Sequence, residues 1–342
     1  MNAPTQILLI RLKSIGDVLF TLPAVNLLRA NFPESKLTFL TNKSCAPILK
    51  GFSEIDEVIT IDRDVYRGKN LREVCGTTLR LVQRLRRENF SLAIDFHGFG
   101  ETALLTWLTR APQRWGSVYN KTRRIAYTTS VYRTKPAHPI DWNRFILTEC
   151  GLAPTPLENR FELPADSLRA AAEIFLRFDC SREKQTIFIQ PFTSDPAKDW
   201  PLEKYLDFAR NARQQGAQVI FGGAGFERQR LSPAVAAGFP VSAGAELLTT
   251  AGLMELSTLV IGGDTGLLHM AVALGKRVLM LMSANGQASA VPYGHPDWSL
   301  VPNPGGKLAD IELRDLMNAS NQALLELAQP TGSFDVQARQ IV

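Results

Sequence analysis

The chain has 342 residues, of which 45% are hydrophobic and 21% are charged, and it contains 24 glycines and 20 prolines. This length predicts two domains of ~150 residues rather than one core, and the apolar content excludes a disordered chain. The apolar run at residues 7–10 is far shorter than a membrane span of ~20 residues or the core of a signal peptide, so we expect a cytoplasmic protein.

The net charge of +5 is unevenly distributed. Residues 1–165 hold 23 Lys and Arg against 15 Asp and Glu, a net of +8, whereas residues 166–342 hold 15 against 18, a net of −3. The stretch from 110 to 135 has no acidic residue and seven basic ones: Arg110, Arg114, Lys121, Arg123, Arg124, Arg133 and Lys135. This bias indicates an anionic partner such as an acidic saccharide, a phospholipid surface or nucleic acid, although a solvated face explains charge alone equally well.

Strand-like and helix-like segments alternate along the first half. Residues 6–12, 36–41, 57–62 and 90–96 are predicted strands, and residues 17–30, 71–87 and 101–109 are predicted helices. A helix at 141–150 then lies within a proline-rich stretch, which is typical of a domain boundary.

A second alternating series follows. Strands are predicted at 186–190, 218–221, 259–262 and 278–282, and helices at 202–214, 226–236, 249–256, 265–274 and 311–327. A polar tail after residue 327 is expected to be loosely held. We therefore predict an α/β protein with two doubly wound parallel-sheet domains, residues 1–165 and 166–342, that face a central cleft.

The first candidate motif runs from Lys13 through Ser14, Gly16 and Asp17. A turn leaves the first strand there, and Asp17 is placed at the start of the first helix and at the cleft edge. The carboxylate is therefore a candidate for chemistry, with a simple helix N-cap as the alternative.

The second candidate is the sequence Gly-Gly-Asp-Thr-Gly-Leu-Leu-His at residues 262–269. A strand ends in two glycines and a helix begins at once, so free amides and the helix dipole predict an anion site. Asp264 is a candidate helix cap, and Thr265 and Gly266 are candidate phosphate donors. His269 follows about one turn later, where a buried core histidine is the alternative.

The third candidate is a polar loop with Thr193, Ser194 and Lys198, closed by Trp200-Pro201 at a helix start. Lys198 is predicted to point into the cleft, where it could neutralise a leaving phosphate, unless it is only a solvated surface lysine. The Asp-Arg-Asp at 62–64 resembles a metal-binding DxD but is more typical of a loop after a strand. The four cysteines are widely spaced, and no standard metal-binding motif is present, so no metal site is predicted.

Together these segments resemble the ADP-heptose:lipopolysaccharide heptosyltransferases of glycosyltransferase family nine. The resemblance rests on residues 13–24, the Asp-Phe-His-Gly at 95–98, residues 190–201 and residues 262–274, in that order. It implies a GT-B fold of two Rossmann-like domains, with the acceptor bound by the first and the nucleotide-sugar by the second. It also implies inverting transfer from ADP-heptose, without metal or cofactor, to an anionic lipid A–Kdo or core-heptose acceptor.

The resemblance also assigns roles. Asp17 matches the general base, and Lys198 matches the lysine that steadies the departing diphosphate. The remaining donor-site matches are Thr193, Ser194, Glu227, Asp264, Thr265, Gly266 and His269. The expected acceptor-site residues are Lys13, Ser14, Gly16, His97, Arg123 and Arg124.

Two departures from the family pattern affect the substrate pockets rather than the fold. Residues 283–286 read Ser-Ala-Asn-Gly instead of a Gly-Pro-Thr type turn, and His97 replaces a frequent glutamine. The alternatives are a GT-B transferase for another nucleotide-sugar and a non-catalytic nucleotide- or glycan-binding protein. Nucleic acid is not an expected partner, because the basic stretch lacks a recognition motif. Peripheral contact with the cytoplasmic face of the inner membrane is compatible with such an acceptor.

Overall fold

The computed structural model describes residues 3–67, 71–133, 137–283 and 290–328. Residues 284–286, which belong to the segment that differs from the family pattern, and the tail from residue 329 lie outside these ranges. Within them the chain forms two six-stranded parallel sheets. The strands are β1 Gln6–Ile10, β2 Lys36–Asn42, β3 Glu57–Ile61, β4 Leu92–Asp95, β5 Gln113–Val118, β6 Thr129–Tyr132, β7 Thr186–Gln190, β8 Gln218–Gly223, β9 Val241–Ala243, β10 Leu259–Gly263, β11 Val278–Leu281 and β12 Ser299–Leu300.

Helices cover both faces of each sheet. They are α1 Ile15–Leu19, α2 Leu22–Asn31, α3 Arg63–Arg67, α4 Leu71–Arg87, α5 Gly100–Leu108, α6 Pro139–Glu149, α7 Ala165–Arg177, α8 Leu202–Gln214, α9 Ser232–Ala236, α10 Leu247–Leu256, α11 Gly266–Ala273 and α12 Leu313–Ala328. Because both faces are covered, the central strands are continuous apolar runs such as Ile-Leu-Leu-Ile in β1.

The two sheets have the same topology. The first follows the order β3-β2-β1-β4-β5-β6, and the second follows β12-β11-β10-β7-β8-β9. Each is the Rossmann order 3-2-1-4-5-6, in which ligands bind at the carboxyl ends of the strands where the order reverses. In the first sheet that point lies after β1 and β4, and in the second after β7 and β10.

The structure divides two of the predicted helices. The predicted helix at 17–30 is two helices, α1 and α2, because the Thr21 hydroxyl donates to the Val18 carbonyl and Pro23 lacks the amide needed to continue α1. The predicted helix at 226–236 is a 3₁₀ turn, Gly225–Glu227, followed by α9, whose first turn contains Pro233.

Several elements were not predicted, namely α3, β5, β6, β9, β12 and α7; because α3 begins at Arg63, Asp64 lies in a short helix and not in the predicted loop. Most of these strands lie toward sheet edges and lack a long apolar run: β5 reads Gln-Arg-Trp-Gly-Ser-Val, and β6 has no fully buried residue. Edge strands bury less apolar surface, so their sequence signal is weak.

The chain passes between domains through α6, which packs on α2, and α7, which packs on α10. The predicted boundary after residue 165 falls at the start of α7. The domains also share apolar packing, since Leu248 and Met270 of the second domain lie in the same core cluster as the first domain's α1 and α2.

The two domains also meet at a glycine–glycine contact between α1 and α11. A Cβ added to Gly266 would lie only 2.7 Å from the Gly16 amide nitrogen. Any larger residue at position 266 would therefore meet backbone rather than a movable side chain.

Candidate active site

A cavity of about 570 Å³ lies between the two domains, at the carboxyl ends of their central strands. The structure brings most of the predicted site residues to this cavity. They are Ser14, Gly16, Asp17, Thr193, Ser194, Lys198, Glu227, Asp264, Thr265, Gly266 and His269.

Asp17 is the carboxylate that the first domain contributes. It is the third residue of α1 rather than its N-cap, so the simple N-cap alternative is wrong in position. Its Oδ2 accepts the backbone amide of Ser14 at 3.0 Å and the Ser14 hydroxyl at 3.1 Å. The side chain is one-third exposed and lines the cavity, so it both stabilises the helix start and faces the space between the domains.

Arg11 is a site residue that the sequence analysis missed. Its Nη2 lies 2.7 Å from Asp17 Oδ1, and its Nη1 donates to the Phe96 carbonyl at 2.7 Å, which fixes the guanidinium. Burial raises the pKa of Asp17, but the Arg11 charge and the hydrogen bonds from Ser14 and Arg11 outweigh it, and the pKa is lowered. Asp17 is therefore ionised at neutral pH. The sequence feature that could have identified Arg11 is a cation directly after an apolar strand.

This pair predicts a pH effect. Protonation of Asp17 should inhibit the enzyme, because a protonated carboxyl cannot accept the acceptor's proton. Since the pKa of Asp17 is lowered, this inhibition should begin only below the usual aspartate pKa of about 3.9. In Arg11→Gln, only the hydrogen bonds from Ser14 still counteract the effect of burial, which raises the pKa of Asp17. The pKa of Asp17 should therefore rise, and the acid limb of kcat/KM should move to higher pH. The measurement is the pH–rate profile of both enzymes.

The control is Arg84→Gln, which breaks an arginine–carboxylate pair of the same 2.7 Å length with Glu57 outside the cavity. It should leave the acid limb in place. An unmoved limb in Arg11→Gln would show that Arg11 does not set the ionisation of Asp17.

On the opposite wall, Asp264 lies between two nitrogen-bearing side chains. Lys198 Nζ lies 3.3 Å from its Oδ2, and His269 Nε2 lies 3.2 Å from its Oδ1. Burial raises the pKa of Asp264, but the His269 hydrogen bond and the Lys198 charge lower it overall. The ionised carboxylate thereby orients Lys198, which is half-exposed at the cavity.

His269 is almost fully buried and still reaches the cavity. Its ring packs edge-on against Phe20 of the first domain, with centroids 4.7 Å apart. His269 is therefore both a buried core histidine and a residue of the cavity wall, so the two interpretations are compatible.

The start of α11 has the properties of an anion site. Thr265 is the N-cap, and its hydroxyl accepts the Leu268 amide at 3.3 Å; the expectation that Asp264 caps this helix is wrong by one residue. The amides of Gly266 and Leu267 belong to the first turn and have no acceptor within the helix. Both residues line the cavity, where these amides and the helix dipole favour a phosphate.

The loop after β7 and the turn after β8 complete this wall. The Thr193 hydroxyl donates to the Asp195 carbonyl at 2.7 Å, which holds the loop that carries Ser194 and Lys198. Glu227 is buried, and its Oε2 accepts the Ala224 amide at 2.7 Å. Phe226, which was not predicted, is 85% exposed at the cavity edge and gives it an apolar surface.

Four predicted acceptor residues do not line the cavity: Lys13, His97, Arg123 and Arg124. His97 is buried, and its Nδ1 accepts the Leu12 amide at 3.1 Å. Burial and the Arg11 charge lower the pKa of His97 to about 3, so the ring is neutral. Arg123 donates to the Gly98 carbonyl at 3.0 Å beside the cleft, and Arg124 is exposed. Their role in acceptor binding stays a prediction.

Comparison with known proteins decides the family. The sequence matches "Glycosyltransferase family 9 (heptosyltransferase)" over residues 78–301, which is more than half of the chain. The chain belongs to this glycosyltransferase family. It is therefore a glycosyltransferase of the heptosyltransferase type, as the sequence motifs predicted.

Individual relatives are distant but match over most of their length. The lipopolysaccharide core heptosyltransferase OpsX of Haemophilus influenzae is 21% identical over 86% of this chain and 84% of its own. A family 9 glycosyl transferase from Veillonella parvula superposes with a TM-score of 0.83 at 20% identity, covering 94% of this chain and 97% of its own. The ADP-heptose lps heptosyltransferase II of E. coli gives 0.79 at 20% identity, covering 94% and 99%. The predicted GT-B fold is confirmed.

Across the ranges that the structure describes, no three His, Cys, Asp or Glu side chains are grouped so as to hold a metal ion. No helix among those residues is both long and apolar enough to cross a bilayer.

Proposed function

We propose that this glycosyltransferase moves a heptose from ADP-heptose to an anionic lipopolysaccharide inner-core acceptor, lipid A–Kdo or core heptose. It does so by inversion, without metal or cofactor, on the cytoplasmic face of the inner membrane. The observation that carries the proposal is the cavity itself. An ionised carboxylate, Asp17, lies on one wall, and a lysine with a helix N-terminus built for phosphate lies on the other. The relatives support the choice of donor and acceptor, since they include a lipopolysaccharide core heptosyltransferase and an ADP-heptose lps heptosyltransferase.

The chemistry follows from the two walls. The acceptor hydroxyl oxygen attacks the anomeric carbon as its proton passes to Asp17, and the bond from that carbon to the diphosphate oxygen breaks. The electron pair leaves with ADP, where Lys198 and the α11 amides stabilise the growing charge. Attack from the face opposite the leaving group inverts the anomeric centre. Because Asp17 has a lowered pKa, it is a weak base, and we expect the leaving-group side to contribute more of the acceleration.

The direct test is turnover of ADP-heptose against UDP- and GDP-sugars with a defined lipid A–Kdo acceptor, with the product linkage read by NMR. We expect turnover with ADP-heptose only, and an inverted anomeric configuration. Turnover with another nucleotide-sugar alone would replace the donor assignment. Donor binding without any turnover would favour the non-catalytic alternative.

Metal removal is a second test. Turnover should persist in saturating EDTA, because we expect Lys198 and the helix amides to neutralise the diphosphate in place of a carboxylate-bound metal ion. Rates with EDTA and with added Mg²⁺ or Mn²⁺ are compared on the same preparation. Loss of activity that Mg²⁺ or Mn²⁺ restores would contradict the proposal, and the aspartates at 62 and 64 would then be examined as ligands.

The acceptor site is tested through charge. Replacing Arg123 and Arg124 by Ser should raise the acceptor KM and leave the ADP-heptose Kd near the wild-type value, because Arg123 reaches the Gly98 carbonyl after β4 and Arg124 is an exposed cation of the same segment. The effect should shrink as salt is added. An unchanged acceptor KM at low salt would make these arginines a solubility feature instead.

A further inference from the structure

One outer layer of the first domain is unusually basic. In a parallel sheet with right-handed crossovers, α4, α5 and the 3₁₀ segment Lys121–Ala126 all lie on the face opposite α1 and α2. The contacts agree with this, since α5 touches both α4 and the 3₁₀ segment. The three elements therefore form a continuous layer, which we call the outer layer, with one side turned to solvent.

Cations dominate this layer, and although Arg84 pairs with Glu57, several others have no acidic partner among the described residues. Helix α4 carries five arginines and one glutamate, and residues 102–140 contain no acidic residue at all. Among the described residues, no carboxylate lies within ion-pair distance of Arg86, Arg110 or Arg114. Arg86 and Arg114 donate to backbone carbonyls, which do not neutralise their charge, and Arg110 is exposed, so the layer keeps a net positive charge toward solvent.

Large apolar side chains project from between these cations. Leu104 and Trp107 occupy positions i and i+3 of α5, on one helix face, and are 55% and 53% exposed. Ile125 of the 3₁₀ segment is 80% exposed. A half-exposed tryptophan on one helix face with an exposed leucine, and a further exposed isoleucine on the same layer, form an apolar surface that indicates a partner.

The apolar and basic groups are adjacent. Arg86, Trp107, Arg110 and Arg114 line one hollow of about 330 Å³. Arg114 Nε also donates to the Ala126 carbonyl at 2.9 Å, which ties this hollow to the segment that bears Ile125.

We propose that the outer layer docks on an anionic phospholipid bilayer, with Leu104, Trp107 and Ile125 in the interface and the arginines on the headgroup phosphates. Tryptophan and aliphatic tips flanked by cations are suited to the boundary between headgroups and acyl chains. A second copy of this chain fits poorly, because a two-fold interface would oppose the unpaired arginines of both copies. Nucleic acid would bind the arginines through its phosphates but would leave the side chains of Leu104 and Ile125 exposed to water.

This surface also suits the reaction. The 3₁₀ segment carries Arg123, which reaches the Gly98 carbonyl beside the cleft, so the docked face and the acceptor side are joined by one short element. The idea extends the proposed function, which needs a lipid-linked acceptor. It is tested separately, because bilayer binding is measured here without any nucleotide-sugar or turnover.

The experiment is co-sedimentation of the full chain with vesicles of phosphatidylglycerol and phosphatidylcholine, compared with phosphatidylcholine alone. We expect binding to the anionic vesicles, weaker binding in high salt and a blue shift of tryptophan emission. Trp107→Ser with Ile125→Ser should weaken binding by at least about 10-fold, since apolar burial is lost. Arg110→Asn with Lys121→Ser should weaken it by about 5-fold per charge; Asn tolerates the left-handed backbone of Arg110, with φ 62°.

Matched controls lie on the second domain. Leu176→Ser with Val235→Ser removes side chains that are 72% and 58% exposed, and Arg182→Asn with Lys184→Ser removes two charges. Both controls should bind like the wild type, and circular dichroism checks that every variant is folded. Equal loss in variants and controls, or no preference for anionic vesicles, would overturn the proposal. A dimer that the Trp107 variant abolishes would also overturn it, because the surface would then bind a second copy of the chain. So would displacement from vesicles by single-stranded DNA alone, because the surface would then bind nucleic acid.

Discussion

Asp17→Asn is expected to lower kcat by about 100-fold or more, the usual contribution of a positioned base. Asparagine retains the size of the side chain and can still accept from the Ser14 amide, so the helix start should persist. What is lost is the proton acceptor and the negative charge beside Arg11. ADP-heptose Kd should stay the same or tighten slightly, because one negative charge near the diphosphate is removed. Steady-state kcat and calorimetric Kd on the same preparation provide the measurement.

The chain offers a close control for this variant. Asp310 Oδ2 accepts the backbone amide of Lys307, three residues earlier, at 2.7 Å, which repeats the local bond of Asp17 away from the cavity. Asp310→Asn should therefore reproduce any loss of capping without loss of turnover. If Asp17→Asn stays within a few-fold of wild-type kcat, Asp17 is a structural residue and the base lies elsewhere.

Lys198→Met should lower kcat by ~100-fold, because loss of one preorganised group at the leaving charge typically costs ~3 kcal/mol. Methionine keeps much of the aliphatic stem and removes only the cation. Stability should change little, since the Lys198–Asp264 pair is half-exposed on the lysine side and such pairs contribute little. The measurement is kcat and KM for ADP-heptose at saturating acceptor.

The matched control is Lys43→Met, which removes another exposed lysine paired with an aspartate, Asp62, outside the cavity. Its kcat should equal that of the wild type. A raised donor KM with unchanged kcat in Lys198→Met would mean that Lys198 binds ground state and transition state equally and does not stabilise the leaving group.

The sequence was informative where function depends on local chain geometry. Lys198 and Asp264 follow neighbouring strands of the second sheet, and Asp17 follows a central strand of the first, so their meeting where the carboxyl ends of the two sheets face each other could be predicted. Arg11 could not be recognised in this way. Its role depends on Phe96 and Asp17 holding its guanidinium, and Phe96 is 85 residues away in the chain.

His97 shows the opposite problem. The family resemblance predicts contact with the acceptor, which stays a prediction, and the structure shows a buried ring that accepts the Leu12 amide. Whether a polar side chain turns outward or satisfies a buried amide depends on packing, which local sequence does not specify. The break between α1 and α2 had a visible signal in Pro23, but a proline in a first helical turn is compatible with either one helix or two.

The contact between Gly16 and Gly266 has a mechanical consequence. It brings the start of α1, which carries the proposed base Asp17, against the first turn of α11, the proposed phosphate site, with the Ile15 side chain beside the two glycines. Even one added carbon on Gly266 would lie 2.7 Å from the Gly16 nitrogen and would force the two helices apart. The contact therefore sets the separation of the two walls of the cavity next to the groups that we expect to react.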